Sequence, residues 1–277
     1  MDISDIGGTI RLNNGIEMPY FGLGVFGSEE GTETIQAIHW ALEAGYRHID
    51  TATLYYNEKS VGNAVRTSSL KREEIFITTK VWNSDQGYRN TINAFRKSLD
   101  KLQMDYIDLY LIHWPVKEKF TDTWNALEEL YSQKLARAIG VSNFLPHHIE
   151  DIIKLKGTIP MVNQIELHPY LVQTDVVTYC DLKGIRVEAW SPILKGRVND
   201  IPILQSLGRK YGKTPVQITL RWDLQKGIIT IPKSVKRDRI ISNADIFDFA
   251  LTEDEIRQID ALDRSERIGA HPDHFDF

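Results

Sequence analysis

A carboxylate, a phenol, an ammonium and an imidazole stand out in this chain for the chemistry they could share. The stretch "HIDTATLYYNE" (48–58) ends a β-rich run on Asp50 and follows it with Tyr55. Lys80 closes another such run, and His113 follows a third in "LYLIHWP". A tyrosine titrates near pH 10, too high for an efficient acid at neutrality. A lysine cation within hydrogen-bond reach would favour the phenolate and lower that value. Asp50 would then hold Lys80 charged and aimed, and a neutral His113 would orient a carbonyl oxygen toward the phenol. Taken singly, each residue has an ordinary explanation. Strand-end lysines are commonly solvated, lone histidines are commonly structural, and strand-end aspartates commonly cap helices. Only their convergence points to proton donation to a carbonyl.

Such a donor needs a nucleophilic partner. The sequence offers no second base, no cysteine and no metal-ligand cluster for that role. His147 and His148 are neighbours without carboxylate or thiol ligands at useful spacing, so they read as helix-surface residues and no metal is expected. Hydride from a bound cofactor fills the gap. Trp190 is placed to stack on a nicotinamide ring, with Ser142, Asn143 and Gln164 as hydrogen-bonding partners for its carboxamide. The run "IPKSVKRDRI" (231–240) carries Lys233, Lys236, Arg237 and Arg239. Surface solvation would explain it, but at the end of a last barrel strand it reads as a phosphate site.

These residues have to be positioned by something, and the chain supplies a regular alternation. Apolar runs at 20–25, 46–50, 75–80, 107–112, 136–141, 161–166, 185–190 and 228–232 read as strands. Between them the hydrophobic period shifts to that of a helix. Ile35, Ile38 and Leu42 form one stripe, Ile92, Phe95, Leu99 and Leu102 a second, and Trp124, Leu127 and Tyr131 a third. Thr214-Pro215-Val216-Gln217 and Thr252-Glu253-Asp254-Glu255 are capping boxes that open helices. Eight strands alternating with helices predict a parallel (β/α)8 TIM barrel as one domain, 1–277. "TIRLNNGIEM" (9–18) predicts an N-terminal β-hairpin, turning at Asn14-Gly15, that covers one end. Longer helical sequence (201–225) separates the last two strands.

"GLGVFG" (22–27) matches the dinucleotide fingerprint G-x-G-x-x-G. That pattern requires a buried strand before its first glycine and a helix opening at its last. Here a turn, a charge and Pro19 come first, so the glycines belong to a strand that something approaches closely. An open, doubly wound sheet is the second-ranked fold.

The totals agree with an enzyme of this kind. The chain has 277 residues, 42% of them hydrophobic and 26% charged, and a net charge of -5. That charge disfavours nucleic acid or an anionic membrane as a general partner. "MDISDIGG" has neither a basic start nor an apolar run, and no stretch approaches the roughly 20 apolar residues of a membrane span. Cys180 has no partner for an internal disulfide and reads as a small core residue. The expectation is a cytoplasmic, reduced-compartment protein.

Taken together, "GYRHIDTATLYYNEKSVG", "LYLIHWP", "GVSNF", "NQIELHP", "AWSPI" and "IPKSVKRDRI" resemble the aldo-keto reductase family over nearly the whole chain. The resemblance implies a barrel without a Rossmann domain, usually monomeric, that binds NADPH in an extended pose. It makes Asp50, Tyr55, Lys80 and His113 the catalytic four, with Tyr55 as acid. Gly24 and Val25 would border the cofactor, Ser142, Asn143 and Gln164 would hold its carboxamide, and Trp190 would stack. Ser191, Pro192, Leu194 and Gly196 would run along the pyrophosphate. Lys233, Ser234, Val235 and Arg239 would take the 2′-phosphate end. Many members carry a glutamate before the asparagine near the adenine, where this chain has Ser242-Asn243, which leaves Asn243 as the adenine contact. Phe26, Trp82, His113 and Trp114 would line a compact aromatic substrate pocket, without the long C-terminal loop of larger relatives. The likeness is strongest to bacterial glyoxal and methylglyoxal reductases and to diketogluconate reductases, implying small aldehydes, ketones and α-dicarbonyls as substrates. Two other readings are weighed against this one. A Schiff base on Lys80 would need a neutral amine, which Asp50 opposes. An NADPH-binding protein without turnover would not need all four catalytic residues.

Overall fold

The computed structural model describes residues 3–277. It opens on an antiparallel hairpin, β1 (Thr9–Arg11) and β2 (Glu17–Pro19), with Ile10 opposite Met18. Gly15 turns the hairpin at φ +88°, in the left-handed region that glycine enters without steric cost. Eight further strands then form one parallel sheet in chain order: β3 (Leu23–Gly24), β4 (His48–Asp50), β5 (Phe76–Val81), β6 (Ile107–Ile112), β7 (Ala136–Ser142), β8 (Val162–Glu166), β9 (Arg186–Trp190) and β10 (Ile229–Thr230). Parallel bridges from Phe21 to Thr230 and from Gly24 to Lys233 join the first strand to the last. The sheet is therefore closed into a barrel.

Helices α1 (Thr32–Glu43), α2 (Glu58–Thr67), α3 (Tyr88–Leu102), α4 (Phe120–Ser132), α5 (Pro146–Ile153) and α6 (Thr174–Leu182) fill the successive connections up to β9. Ile38, Leu42, Phe95, Leu102, Trp124 and Leu127 are buried from those helices. Burying each such side chain fully is worth roughly 1.5–3 kcal/mol, and this holds the helices around the barrel. The 201–225 segment divides into α7 (Pro202–Tyr211) and α8 (Pro215–Gln225), because Gly212 leaves the helix at φ +66°. α9 (Arg237–Ala244) and α10 (Glu253–Asp260) complete the chain of helices. Thr214 and Thr252 form the expected capping boxes with Gln217 and Glu255.

The seam strands are shorter than the sequence predicts. Of 20–25 only Leu23–Gly24 forms a continuous strand, with Phe21 joined by a single bridge, and of 228–232 only Ile229–Thr230. Pro232 has no N–H to continue the ladder. A Cβ at Gly22 would stand 2.6 Å from His48 Nδ1, and one at Gly24 would stand 3.0 Å from the Ile231 carbonyl. These glycines let the seam close over the His48 ring, and α1 begins only at Thr32, so "GLGVFG" makes no dinucleotide turn.

The hairpin covers the end of the barrel where strands begin. Asn13 Nδ2 donates to the Pro160 carbonyl at 3.1 Å, Asn14 Nδ2 to that of Arg137 at 3.1 Å, and Arg186 Nε to that of Arg11 at 3.1 Å. Polar strand-end residues gather at the opposite end.

Candidate active site

Asp50 ends β4, Lys80 is the penultimate residue of β5, and both are buried. The Lys80 ammonium donates to Asp50 Oδ1 at 2.7 Å, Asp50 Oδ2 at 2.8 Å, the Thr51 carbonyl at 2.9 Å and Tyr55 Oη at 3.5 Å. Tyr55 closes a short 3-10 turn, Thr53–Tyr55, directly after β4. That turn is fixed at both ends. Thr53 Oγ1 donates to the Lys80 carbonyl, and the buried Asn57 ties Thr51 to the Val25 and Ser28 carbonyls. His113 follows β6, its ring 5.7 Å from that of Tyr55 and edge-on to it. The fold thus gathers at one point all four residues that the sequence suggests for catalysis.

Burial, the largest single influence, works against the Lys80 ammonium, but the charge and hydrogen bond of Asp50 together with Tyr55 and Glu188 outweigh it and raise the lysine. His113 is pushed well below the usual histidine range by burial and then by the Lys80 charge, so its imidazole is neutral. Tyr55 departs from the sequence-based expectation. Burial raises the phenol to about 12, and the opposing pull of Lys80 does not cancel it. The phenol is therefore fully protonated at neutral pH.

A groove of about 1080 Å³ runs from Asp50, Gly24 and Trp190 out to Arg239 and Asn243. Ser191, Pro192, Gly196, Lys233 and Ser234 also line it, while Val25, Leu194 and Val235 do not. Leu194 turns into the core and is fully buried. Ser142, Asn143 and Gln164 lie behind Trp190 in a hydrogen-bonded chain. Trp190 Nε1 donates to Asn143 Oδ1 at 2.9 Å, Asn143 Nδ2 to Ser142 Oγ at 3.1 Å, and Ser142 Oγ to the Gln164 carbonyl at 2.9 Å. Lys233 Nζ reaches across the groove to the Gly27 carbonyl at 3.4 Å. Lys195, within the stretch expected along the pyrophosphate, lines it as well, as do Thr214, expected only as a helix cap, and Arg197 and Asn199, which were not singled out in the sequence.

Phe26 and Trp82 pack beside Tyr55 and His113, while the ring contacts of Trp114 are with the C-terminal Phe275 and Phe277. Phe26 meets the Tyr55 ring at 5.0 Å and Trp82 meets His113 at 5.1 Å. The C-terminal segment adds walls that the sequence did not suggest. Phe277 stacks on Trp82 at 5.9 Å, and Phe275 packs on Trp114 at 5.1 Å. Asn83 Nδ2 donates to the Phe277 carbonyl. Upstream, the buried Glu166 accepts from the Ile268 and Gly269 N–H groups.

His147 is exposed on a helix, as expected, whereas His148 is not. His148 is buried between Phe120 and Phe144, and the tail brings Asp273 to both rings, at 2.9 Å from His147 Nε2 and 3.2 Å from His148 Nε2. The Leu145 N–H donates to His148 Nδ1, so the ring proton sits on Nε2 and points at Asp273. The trio thus serves as a latch for the tail. Asp273→Ala should raise KM for a carbonyl substrate about two- to fivefold, the worth of a weak, partly exposed polar contact, and leave kcat within twofold. Steady-state kinetics with hydrogen exchange across 271–277 would check this. Unchanged exchange would remove the latch from the account.

The barrel, its parallel strand order and the strand-end cluster define a class that sequence comparison identifies independently. Residues 20–264 match the model of the aldo/keto reductase family, and the chain belongs to that family. It is 53% identical to glyoxal reductase of Bacillus subtilis (strain 168), over 97% of this chain and 98% of that protein. It is 46% identical to methylglyoxal reductase DkgA of Escherichia coli (strain K12), over 96% and 97%. Among solved structures, a Gox0644 mutant in complex with NADPH superposes with a TM-score of 0.93 at 40% identity, covering 97% of this chain and 98% of that one. Among the described residues, no helix is long and apolar enough to cross a membrane.

Proposed function

We propose that this chain uses NADPH to reduce small aldehydes, ketones and α-dicarbonyls of the glyoxal and methylglyoxal type to alcohols. The observation that carries the reading is the contact of Tyr55 Oη with Lys80, whose partner Asp50 lines the inner end of a long groove. The groove suits an extended, multiply anionic cofactor. An indole stands at its inner end, and Lys195, Arg197, Lys233 and Arg239 line the remainder against the acids Asp200 and Asp238. When bound, NADPH supplies the hydride. Tyr55 donates the proton to the developing alkoxide, and the neutral His113 orients the carbonyl oxygen toward it. Lys80, held by Asp50, favours the negative phenolate left behind. The aromatic walls discriminate weakly among small apolar groups, so the substrate range is broad. The names of the bacterial relatives favour α-dicarbonyls within that range.

The test is NADPH oxidation in the presence of methylglyoxal. Saturable turnover supports the reading. Its absence across glyoxal, methylglyoxal and simple aldehydes would leave a cofactor-binding protein without this reaction. Cofactor choice has its own test. A guanidinium–phosphate contact is a charge-assisted bond worth roughly 1.5–3 kcal/mol, or about 10- to 100-fold in affinity. Arg239→Ala should weaken NADPH binding by that factor and change NADH binding less than twofold. Equal losses for both nucleotides would remove Arg239 from the 2′-phosphate.

A further inference from the structure

Deeper in the barrel lies a carboxyl group to which the reaction gives no task. Glu188, in the middle of β9, is completely buried. One Gln164 amide nitrogen serves two acids, donating to Asp50 Oδ2 at 2.8 Å and to Glu188 Oε2 at 2.7 Å. Glu188 Oε1 stands 3.6 Å from His48 Nδ1, and neither atom has a hydrogen-bond partner among the described residues. The other nitrogen of that ring, Nε2, is 3.0 Å from Thr78 Oγ1. The charged and titratable groups facing Glu188 are thus His48 and Asp50 from β4 and Lys80 from β5, with Tyr55 beyond them.

These groups contain one cation, and Asp50 holds it with both oxygens. An ionised Glu188 would be a second buried anion without a counter-ion, which is strongly unfavourable. His48 cannot compensate, because burial and the Lys80 charge hold its imidazole neutral, at a pKa of about 3. Burial and then the Asp50 charge push Glu188 up to about 8. His48, Asp50 and Glu188 have donor atoms within 4.8 Å of one another, the spacing of a metal site, but the Lys80 ammonium already takes the cation's place. A proton on Oε1 accounts for the two unpartnered atoms. It would point at His48 Nδ1 after a small side-chain rotation, and the ring would keep its own proton on Nε2 for Thr78.

We propose that Glu188 is a positioning residue, held as a neutral carboxylic acid donating to His48, that fixes the Gln164 amide against Asp50. Because both acids draw on the Gln164 amide nitrogen, its oxygen is left as the acceptor for a ligand. The kinetic part of this inference rests on the reading of Tyr55 as the acid, and the spectroscopic part does not.

Infrared difference spectra between pH 6 and pH 10 test it directly. The wild type should lose a protonated carboxyl C=O band near pH 8, and Glu188→Gln should lack that band. Asp223, also buried and raised well above the carboxylate range, gives a separate band that the substitution leaves in place. Wild type and Glu188→Gln with the same set of pH-dependent carboxyl bands would overturn the proposal. If that variant does not fold, His48→Ala should move the same band by removing its acceptor, and an unmoved band would be equally decisive. The kinetic arm compares single-turnover hydride transfer. In the wild type it should decline above about pH 8, as a second anion beside Asp50 holds the Tyr55 proton more tightly. Glu188→Gln should keep neutral-pH activity within threefold and lose that decline, whereas Glu188→Ala should lose at least tenfold at every pH. A decline that persists in Glu188→Gln would overturn the kinetic role. An active Tyr55→Phe with the infrared result intact would instead overturn the assignment of Tyr55.

Discussion

Tyr55→Phe is expected to fold, to bind NADPH within twofold of the wild type, and to reduce methylglyoxal about 10²- to 10⁴-fold more slowly, the usual worth of a positioned general acid. Little else should change. The substitution removes only the longest of the four Lys80 contacts, at 3.5 Å, and leaves those to Asp50 and Thr51. The ring keeps its packing against Phe26 and His113. Stopped-flow absorbance and cofactor fluorescence would separate the two effects, and a mutant within tenfold of the wild type would mean that another group supplies the proton. The high phenol pKa adds a directional signature. Reduction needs the phenol, which is protonated throughout the neutral range at a pKa of about 12. Alcohol oxidation needs the phenolate, so its rate should climb with pH until that value is approached. A flat profile for oxidation would argue against proton transfer through Tyr55.

The difference between what the sequence revealed and what it concealed follows from the range of the interactions. Asp50, Lys80 and His113 were legible because each stands within one residue of a strand end, and the ends of parallel barrel strands converge. Tyr55 was legible from its place in the loop after β4. The effect of Lys80 on Tyr55 was read with the correct sign for the pair and the wrong sign for the sum, because spacing does not report how deeply a phenol is buried. Glu188 and His48 did leave a signal. His48 and Asp50 are two residues apart, as are Glu188 and Trp190, and the two-residue period of a strand puts each pair on one face. Once Asp50 is known to face the barrel interior, His48 must face it too. Asp273, Phe275 and Phe277 left none of comparable strength. They reach the site from an irregular tail, through contacts such as His147 to Asp273 that span more than a hundred residues.

Lys80→Met is expected to be the most damaging single change to stability. The lysine is completely buried, and its removal strands the Asp50 carboxylate with, among the described residues, only the Gln164 amide as a donor. Breaking a buried pair from one side costs roughly 3–5 kcal/mol. For a chain of this length that lowers Tm on the order of 10 °C. The pH dependence identifies the cause. Without its cation, Asp50 must have a folded-state pKa above its unfolded value of about 3.9. An acid raised on folding costs nothing below its unfolded pKa and destabilises progressively as pH rises through the folded one. The deficit relative to wild type should therefore be smallest near pH 4 and grow toward neutrality. Adding Asp50→Asn should return much of the lost stability without restoring turnover, since the amide carries no charge to strand. Calorimetry of the wild type, Lys80→Met and the double mutant from pH 4 to pH 8 would decide it. A deficit that is the same at every pH would mean that Lys80 stabilises the barrel by filling space, and that its charge is held for catalysis alone.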